Sequence, residues 1–128
     1  MTVDTAPVRV VVADDDESFL EFLRALVEAQ PELAVVGQAR DGVEALELTE
    51  EMRPEAVVLD LHMPRLDGVS AIARLRRDHP NLCVIALTGD PASALHEAAR
   101  EAGADGVFQK GEMLEQLLAR LAHSRPEG

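Results

Sequence analysis

Five short apolar runs punctuate the chain: VRVVVA (8–13), LAVVGQA (33–39), AVVLDL (56–61), LCVIALT (82–88) and GVFQK (106–110). Most are continuous rather than alternating, as in strands covered on both faces, the condition of a parallel sheet. Between them apolar residues return at helical spacing. Phe19, Phe22, Leu23 and Leu26 fall at i, i+3, i+4 and i+7 and predict the buried face of a first helix. Val43, Leu46 and Met52 follow more loosely, and then Val69, Ile72 and Leu75. Leu95, Ala98, Ala99 and Ala102 make a small-residue stripe, and Leu114, Leu117, Leu118 and Leu121 the last one. Pro31, Asp41-Gly42, Pro54, Pro80, Pro91 and Gly103 stand at the boundaries between these segments. The pattern reads βαβαβαβαβα, with no solenoid repeat and no internal linker. It predicts an α/β fold: a single doubly wound five-stranded parallel sheet flanked by five helices, joined by right-handed crossovers.

Composition narrows this picture. A chain of 128 residues is a common size for one domain. Hydrophobic residues make up 47%, but the only aromatics are Phe19, Phe22 and Phe108, so the core must be aliphatic. No apolar run approaches the roughly 20 residues needed to span a bilayer, and MTVDTAPV has no basic region leading into a greasy one. A cytoplasmic location without membrane attachment is expected. Cys83, the single cysteine, is expected to be a small core residue with no thiolate-stabilising neighbour. With 24 acidic and 12 basic residues the net charge is −12. That opposes direct contact with nucleic acid, whose phosphates are neutralised by Lys and Arg.

In sheets of this kind ligands bind outside the carboxyl ends of the strands. The first run ends in Asp14-Asp15-Asp16, the third in Asp60, the fourth in Thr88-Gly89 and the fifth in Lys110. Carboxylates brought together raise one another's pKa unless a cation joins them. Mg²⁺ suits such a site, because it takes oxygen ligands, keeps several waters and needs only one or two carboxylates. A lysine and a hydroxyl facing the same spot complete a phosphoryl site, where catalysis is mostly positioning and charge neutralisation. A central carboxylate can act as nucleophile and form an acyl phosphate. Asp60 is the candidate. Singly, each residue has an ordinary explanation: a solvated turn and helix cap for Asp14 to Asp16, a turn for Asp60, a surface amine for Lys110, a strand residue for Thr88. Jointly these explanations need independent coincidences at one edge of the sheet.

VVVADD (10–15), VVLDLHMPRLDG (57–68), ALT (86–88) and GVFQK (106–110), in that order, resemble the receiver (REC, CheY-like) domains of two-component response regulators, over residues 7–123. The resemblance implies a flavodoxin-like strand order of 2-1-3-4-5, with residues 1–6 and 124–128 as flexible ends. It implies that Asp60 accepts a phosphoryl group from a sensor histidine kinase, a phosphotransfer protein or a small phosphodonor. Asp15, Asp60 and the backbone carbonyl of His62 would bind Mg²⁺, with Mn²⁺ able to substitute, and Asp14 would hold the ion through water. Lys110 would pair with the phosphate. Thr88 would swing toward it and reshape the surface that controls an output domain or effector protein, with homodimer formation as one outcome. Such a domain signals rather than serving as an enzyme; it catalyses only its own phosphorylation and dephosphorylation. Asp16 lies where the family has no fixed acid and is read as a cap for the first helix.

Five positions depart from or tune the pattern. Val107 stands where many members carry an aromatic that follows the threonine, and Phe108 should face the opposite side of its strand. Gly111 replaces a frequent cis-proline, and a trans bond is expected because a cis bond without proline costs about 3 kcal/mol. His62, its side chain expected to be exposed, and Asp90 occupy the variable positions that tune removal of the phosphoryl group. Gly89 leaves access open and favours hydrolysis. Three rival readings fit less well. A phosphatase of the haloacid dehalogenase type needs a second Asp where His62 stands, and a cap domain. Flavin binding needs a phosphate-cradling first loop, whereas this one is acidic. A receiver-like interaction module working without phosphorylation is the more serious rival. The VVADD start, GQARDGVEAL and the residue after Lys110 look like receivers attached to helix-turn-helix transcription factors.

Overall fold

A computed structural model describes residues 6–89, 93–111 and 114–124, with Ser93 and Leu114 described by backbone alone. The elements are β1 (Val8–Ala13), α1 (Glu17–Glu28), β2 (Leu33–Ala39), α2 (Gly42–Met52), β3 (Ala56–Asp60), α3 (Gly68–Asp78), β4 (Cys83–Thr88), α4 (Ser93–Ala102), β5 (Gly106–Gln109) and α5 (Leu114–Ala122). All strand pairs are parallel, and the sheet runs β2-β1-β3-β4-β5. The strands match the apolar runs. Leu61, Leu82 and Lys110 fall just outside the ladders; the amides of Leu61 and Lys110 still donate to β4, and that of Leu82 donates to His79 in the turn before it.

The sheet divides the core in two. Val11, Ala13, Val57, Leu59, Val84 and Ala86 face helices α2, α3 and α4 through Ala45, Ile72, Leu75 and Ala99. Val10, Val12, Val58, Ile85 and Leu87 face α1 and α5 through Leu20, Leu23, Val27, Leu117 and Leu121. Alternate residues of one strand therefore serve different helices, which is why the inner strands β3 and β4 run apolar up to Asp60 and Thr88. Each fully buried Leu, Ile or Val contributes roughly 1.5–3 kcal/mol relative to exposure.

The first helix is rotated from the predicted face. Leu20, Leu23 and Val27 are buried, Phe19 and Leu26 are half-buried, and Phe22 is 51% exposed. Leu20, Leu23 and Val27 obey the same i, i+3, i+7 spacing, so the pattern admits two phases. The aliphatic one fits the Val-lined sheet. In α2, likewise, the fully buried positions are Gly42, Ala45 and Thr49, with Val43, Leu46 and Met52 half-buried around them. The stripes of α3, α4 and α5 pack as read, the Leu114 side chain lying outside the described residues. Residues 1–5 and 125–128, most of the expected loose ends, also lie outside them. Among the described residues, no helix is long and apolar enough to cross a membrane.

The loops at the carboxyl edge are fixed by local chemistry. Asp16 caps α1 in an extended conformation, its carboxylate accepting from the amides of Ser18 at 3.0 Å and Phe19 at 3.3 Å. Asp41 caps α2 and also pairs with Arg65 at 3.0 Å, tying the loop after β3 to α2. Gly68, at the start of α3, lies against the end of β3. A Cβ there would stand 2.5 Å from Leu61 Cα and 2.7 Å from the Asp60 carbonyl oxygen.

Candidate phosphoryl and metal site

Pairing of adjacent strands brings the acids and the amine together. Ala13 of β1 aligns with Leu59 of β3, so Asp14 and Asp60 emerge side by side. Asp60, in the central strand, aligns with Leu87 of β4. The Lys110 amide donates to the Thr88 carbonyl at 2.8 Å, which sets the lysine at the end of β5 against the end of β4. By alternation, Asp14, Asp60 and Lys110 continue the side of the sheet that faces α1 and α5, whereas Thr88 continues the other side.

Asp14, Asp60 and Thr88 are buried, Asp15 is exposed, and the Lys110 side chain keeps 20% of its surface. Lys110 Nζ lies 2.5 Å from Asp14 Oδ2 and 3.4 Å from Asp60 Oδ2. Asp14 Oδ1 accepts from the Asp16 amide at 2.9 Å, so the three consecutive aspartates divide their work. Carboxylate oxygens of Asp14, Asp15 and Asp60 lie within 4.8 Å of one another. Asp60 Oδ1 is buried and has no hydrogen-bond partner among the described residues. A buried carboxylate oxygen left so is costly; with two further acids beside it and no soft ligand among the described residues, the donor set fits a hard cation such as Mg²⁺.

The electrostatics agree. Burial, and then the neighbouring Asp14 charge, raise the Asp60 pKa above the ordinary carboxylate value; Lys110 and the His62 amide oppose this without cancelling it. Burial by itself would pull the Lys110 amine down, but its bond to Asp14 and the charge of Asp60 outweigh it and hold it raised. The lysine is thus a permanent cation, and Asp60 is a carboxylate short of positive partners.

The sequence-derived residues otherwise fall as follows. His62 is exposed and Gly89 is open, with nothing within 4 Å of a Cβ built on it. Asp90 lies outside the described residues. Val107 packs on the α2–α4 side and Phe108 on the α1/α5 side, as the alternation required. No peptide bond among the described residues is cis, and Gly111 takes φ +89°. Sequence reasoning missed one contact. Phe19 of α1 lies under the lysine, with Lys110 Nζ 4.3 Å from its ring centroid. Phe19 and Lys110 are far apart in sequence, and no local pattern joins them.

Comparison with known proteins gives a consistent result. The family model of the response regulator receiver domain matches residues 10–122. The chain is similar to the response regulator MprA of Mycobacterium sp. (strain KMS), 43% identical over 115 residues, covering 90% of this chain and 49% of that protein. It is also similar to protein-glutamate methylesterase/protein-glutamine glutaminase 4 of Myxococcus xanthus, 42% identical over 107 residues, covering 81% of this chain and 30% of that one. The chain thus spans about half or less of the length of these relatives. Among solved structures, the signal receiver domain of NarL from Mycobacterium tuberculosis superposes with a TM-score of 0.86 at 30% identity, covering 94% of this chain and 99% of that one.

Proposed function

The chain belongs to the response regulator receiver domain family, and we propose that it receives a phosphoryl group on Asp60 from the phosphohistidine of a sensor histidine kinase or phosphotransfer protein. One observation carries the reading: a buried, partner-poor Asp60 carboxylate lies beside a lysine ammonium and two further acids at the end of the central strand. A carboxylate oxygen of Asp60 attacks phosphorus as the P–N bond breaks, and the imidazole leaves with its electron pair and takes up a proton. Lys110 neutralises charge on the phosphoryl oxygens, as positioned cations do in phosphoryl transfer. Thr88 would offer its hydroxyl to another of these oxygens.

Asp15, Asp60 and the His62 carbonyl would hold Mg²⁺, or Mn²⁺ in its place, with Asp14 acting through water. The ion's contribution when bound is neutralisation of the charge gathered on the acids and the phosphate. Water returns Asp60 to its free state by hydrolysis, and open Gly89, exposed His62 and Asp90 would set its rate. With Val107 in place of an aromatic, movement of Thr88 has a small aliphatic neighbour to displace. The output is an attached domain, transcriptional in the favoured case, or a separate effector protein, with phosphorylation-dependent dimerisation as one route.

The test is incubation with acetyl phosphate, or with beryllofluoride, in the presence of Mg²⁺. The native protein should gain a phosphoryl mass or change its NMR spectrum, and Asp60→Asn should abolish the covalent gain. An unresponsive native protein would leave the interaction module as the surviving reading.

A further inference from the structure

We propose that Phe19 is a positioning residue for Lys110, its ring acting as a fixed cation–π partner that keeps the ammonium over Asp60 while the lysine's ionic partners change. The inference rests on the phosphoacceptor reading above. Its starting point is geometric. Among the described residues, Lys110 Nζ has three partners: Asp14 Oδ2 at 2.5 Å, Asp60 Oδ2 at 3.4 Å and the Phe19 ring at 4.3 Å from the centroid. A cation within about 6 Å of a ring centroid is attracted by the ring quadrupole, most strongly where water is partly excluded. The lysine here retains only 20% of its side-chain surface.

Two of the three partners are unreliable anchors during the reaction. A divalent ion brought to the acids competes with Lys110 for Asp14. Phosphorylation turns the Asp60 carboxylate into a mixed anhydride, an acyl phosphate, and moves its charge outward. The ring alone carries no charge to lose and forms no bond in either step. It is also well founded. Phe19 is the second residue whose amide bonds the Asp16 cap, and it is half-buried against the core cluster of α1 and α5. Asp14, Asp60 and Lys110 continue that same side of the sheet, which α1 and α5 cover, and α1 supplies the contact through Phe19. Phe108 cannot serve, because its ring folds back over Gly106, 3.1 Å from where a Cβ there would stand.

The experiment replaces Phe19 site-specifically by mono-, di- and trifluorinated phenylalanine, which keep the shape of the ring while draining its negative face. The same series at Phe108 is the control. The rate of phosphorylation by acetyl phosphate with Mg²⁺ should fall stepwise along the Phe19 series, by about two- to fivefold in all, and stay level along the Phe108 series. A level Phe19 series in a protein that does take up phosphoryl would overturn the role of the ring alone, as would an equal fall at Phe108. NMR of the Lys110 ε-methylene protons provides a readout that needs no phosphoryl transfer. Their upfield ring-current displacement should vanish in Phe19→Leu, and unchanged signals would overturn the contact. A native protein that takes up no phosphoryl group would overturn the phosphoacceptor reading and, with it, the ring's part in the reaction.

Discussion

The Lys110 ammonium sits closer to Asp14, at 2.5 Å, than to the proposed phosphoacceptor, at 3.4 Å. The acid read as a water-mediated metal partner is therefore already neutralised by a resident cation. A divalent ion must share that acid with the lysine and approach a like charge. Lys110→Met should tighten Mg²⁺ binding by about fivefold, roughly 1 kcal/mol, while removing phosphorylation. Mg²⁺ titration followed by NMR measures the affinity, and weaker binding in the variant would contradict the competition.

Asp60 gives the fold a defined pH response. Its pKa is raised by burial and by Asp14. A carboxyl whose folded pKa exceeds the unfolded value contributes stability below the unfolded pKa and loses it as pH rises through the folded pKa. The ionised group is thus a burden at neutral pH. Asp60→Asn should raise the melting temperature at pH 7 by about 4 °C, on the order of 1 kcal/mol, with the gain closing below about pH 4, where the unfolded Asp is itself protonated. Thermal melts of both proteins across pH 3–8 would reveal a gain that is flat or of opposite slope, either of which contradicts this account.

Mg²⁺ itself should stabilise the native chain. At ten times its dissociation constant, a ligand specific to the folded state adds about 1.4 kcal/mol. Asp15 is the exposed member of the acidic trio and has the least structural work. Asp15→Ala should leave the metal-free melting temperature within about 1 °C of native and abolish the Mg²⁺-dependent rise. A rise that survives in the variant would remove Asp15 from the metal site.

Two glycines flanking the site should behave oppositely. A Cβ at Gly68 would meet the backbone of Leu61 at 2.5 Å and the Asp60 carbonyl at 2.7 Å, whereas one at Gly89 meets nothing within 4 Å. Gly68→Ala should cost about 2–3 kcal/mol and disturb the proposed phosphoacceptor. Gly89→Ala should change stability by less than about 0.5 kcal/mol and slow loss of the phosphoryl group by narrowing the approach of water. Denaturation curves and phosphoryl decay decide both.

Arg76 performs its work at the other end of the sheet. Its guanidinium donates to the carbonyls of Pro80, Leu82 and Gly103 and to Asp105, joining the loops that lead into β4 and β5. Arg76→Ala should destabilise the fold by about 2–3 kcal/mol without changing the rate of Asp60 phosphorylation. Lysine at this position cannot reproduce the fork of donors and should restore only part of the loss.

What could be read from the chain followed what is periodic or local. Unbroken Val and Ile runs specify doubly covered strands, and Asp16 and Asp41 announce helix starts that the structure realises as caps. The site was legible in outline because parallel pairing gathers strand ends whatever their distance along the chain. Rotation about a helix axis was less so. Phe19, Phe22, Leu23 and Leu26 satisfy helical spacing as well as Leu20, Leu23 and Val27 do, and the choice is made by the sheet surface below. Contacts such as Phe19 with Lys110 or Arg65 with Asp41 depend on which elements the topology sets side by side.

Cys83 opens β4, between β3 and β5, and is buried; burial, helped by the charge of Asp105, pushes its thiol up to about 11. As the sole sulfhydryl of the chain, it amounts to a built-in clock. It keeps only a sliver of surface, in a small cleft beside Arg76 and Asp105, and its raised pKa leaves little thiolate, so alkylation is slow in the folded state and quickens when the fold opens. The pace of its labelling then times how often the domain breathes, in a protein without tryptophan to report it.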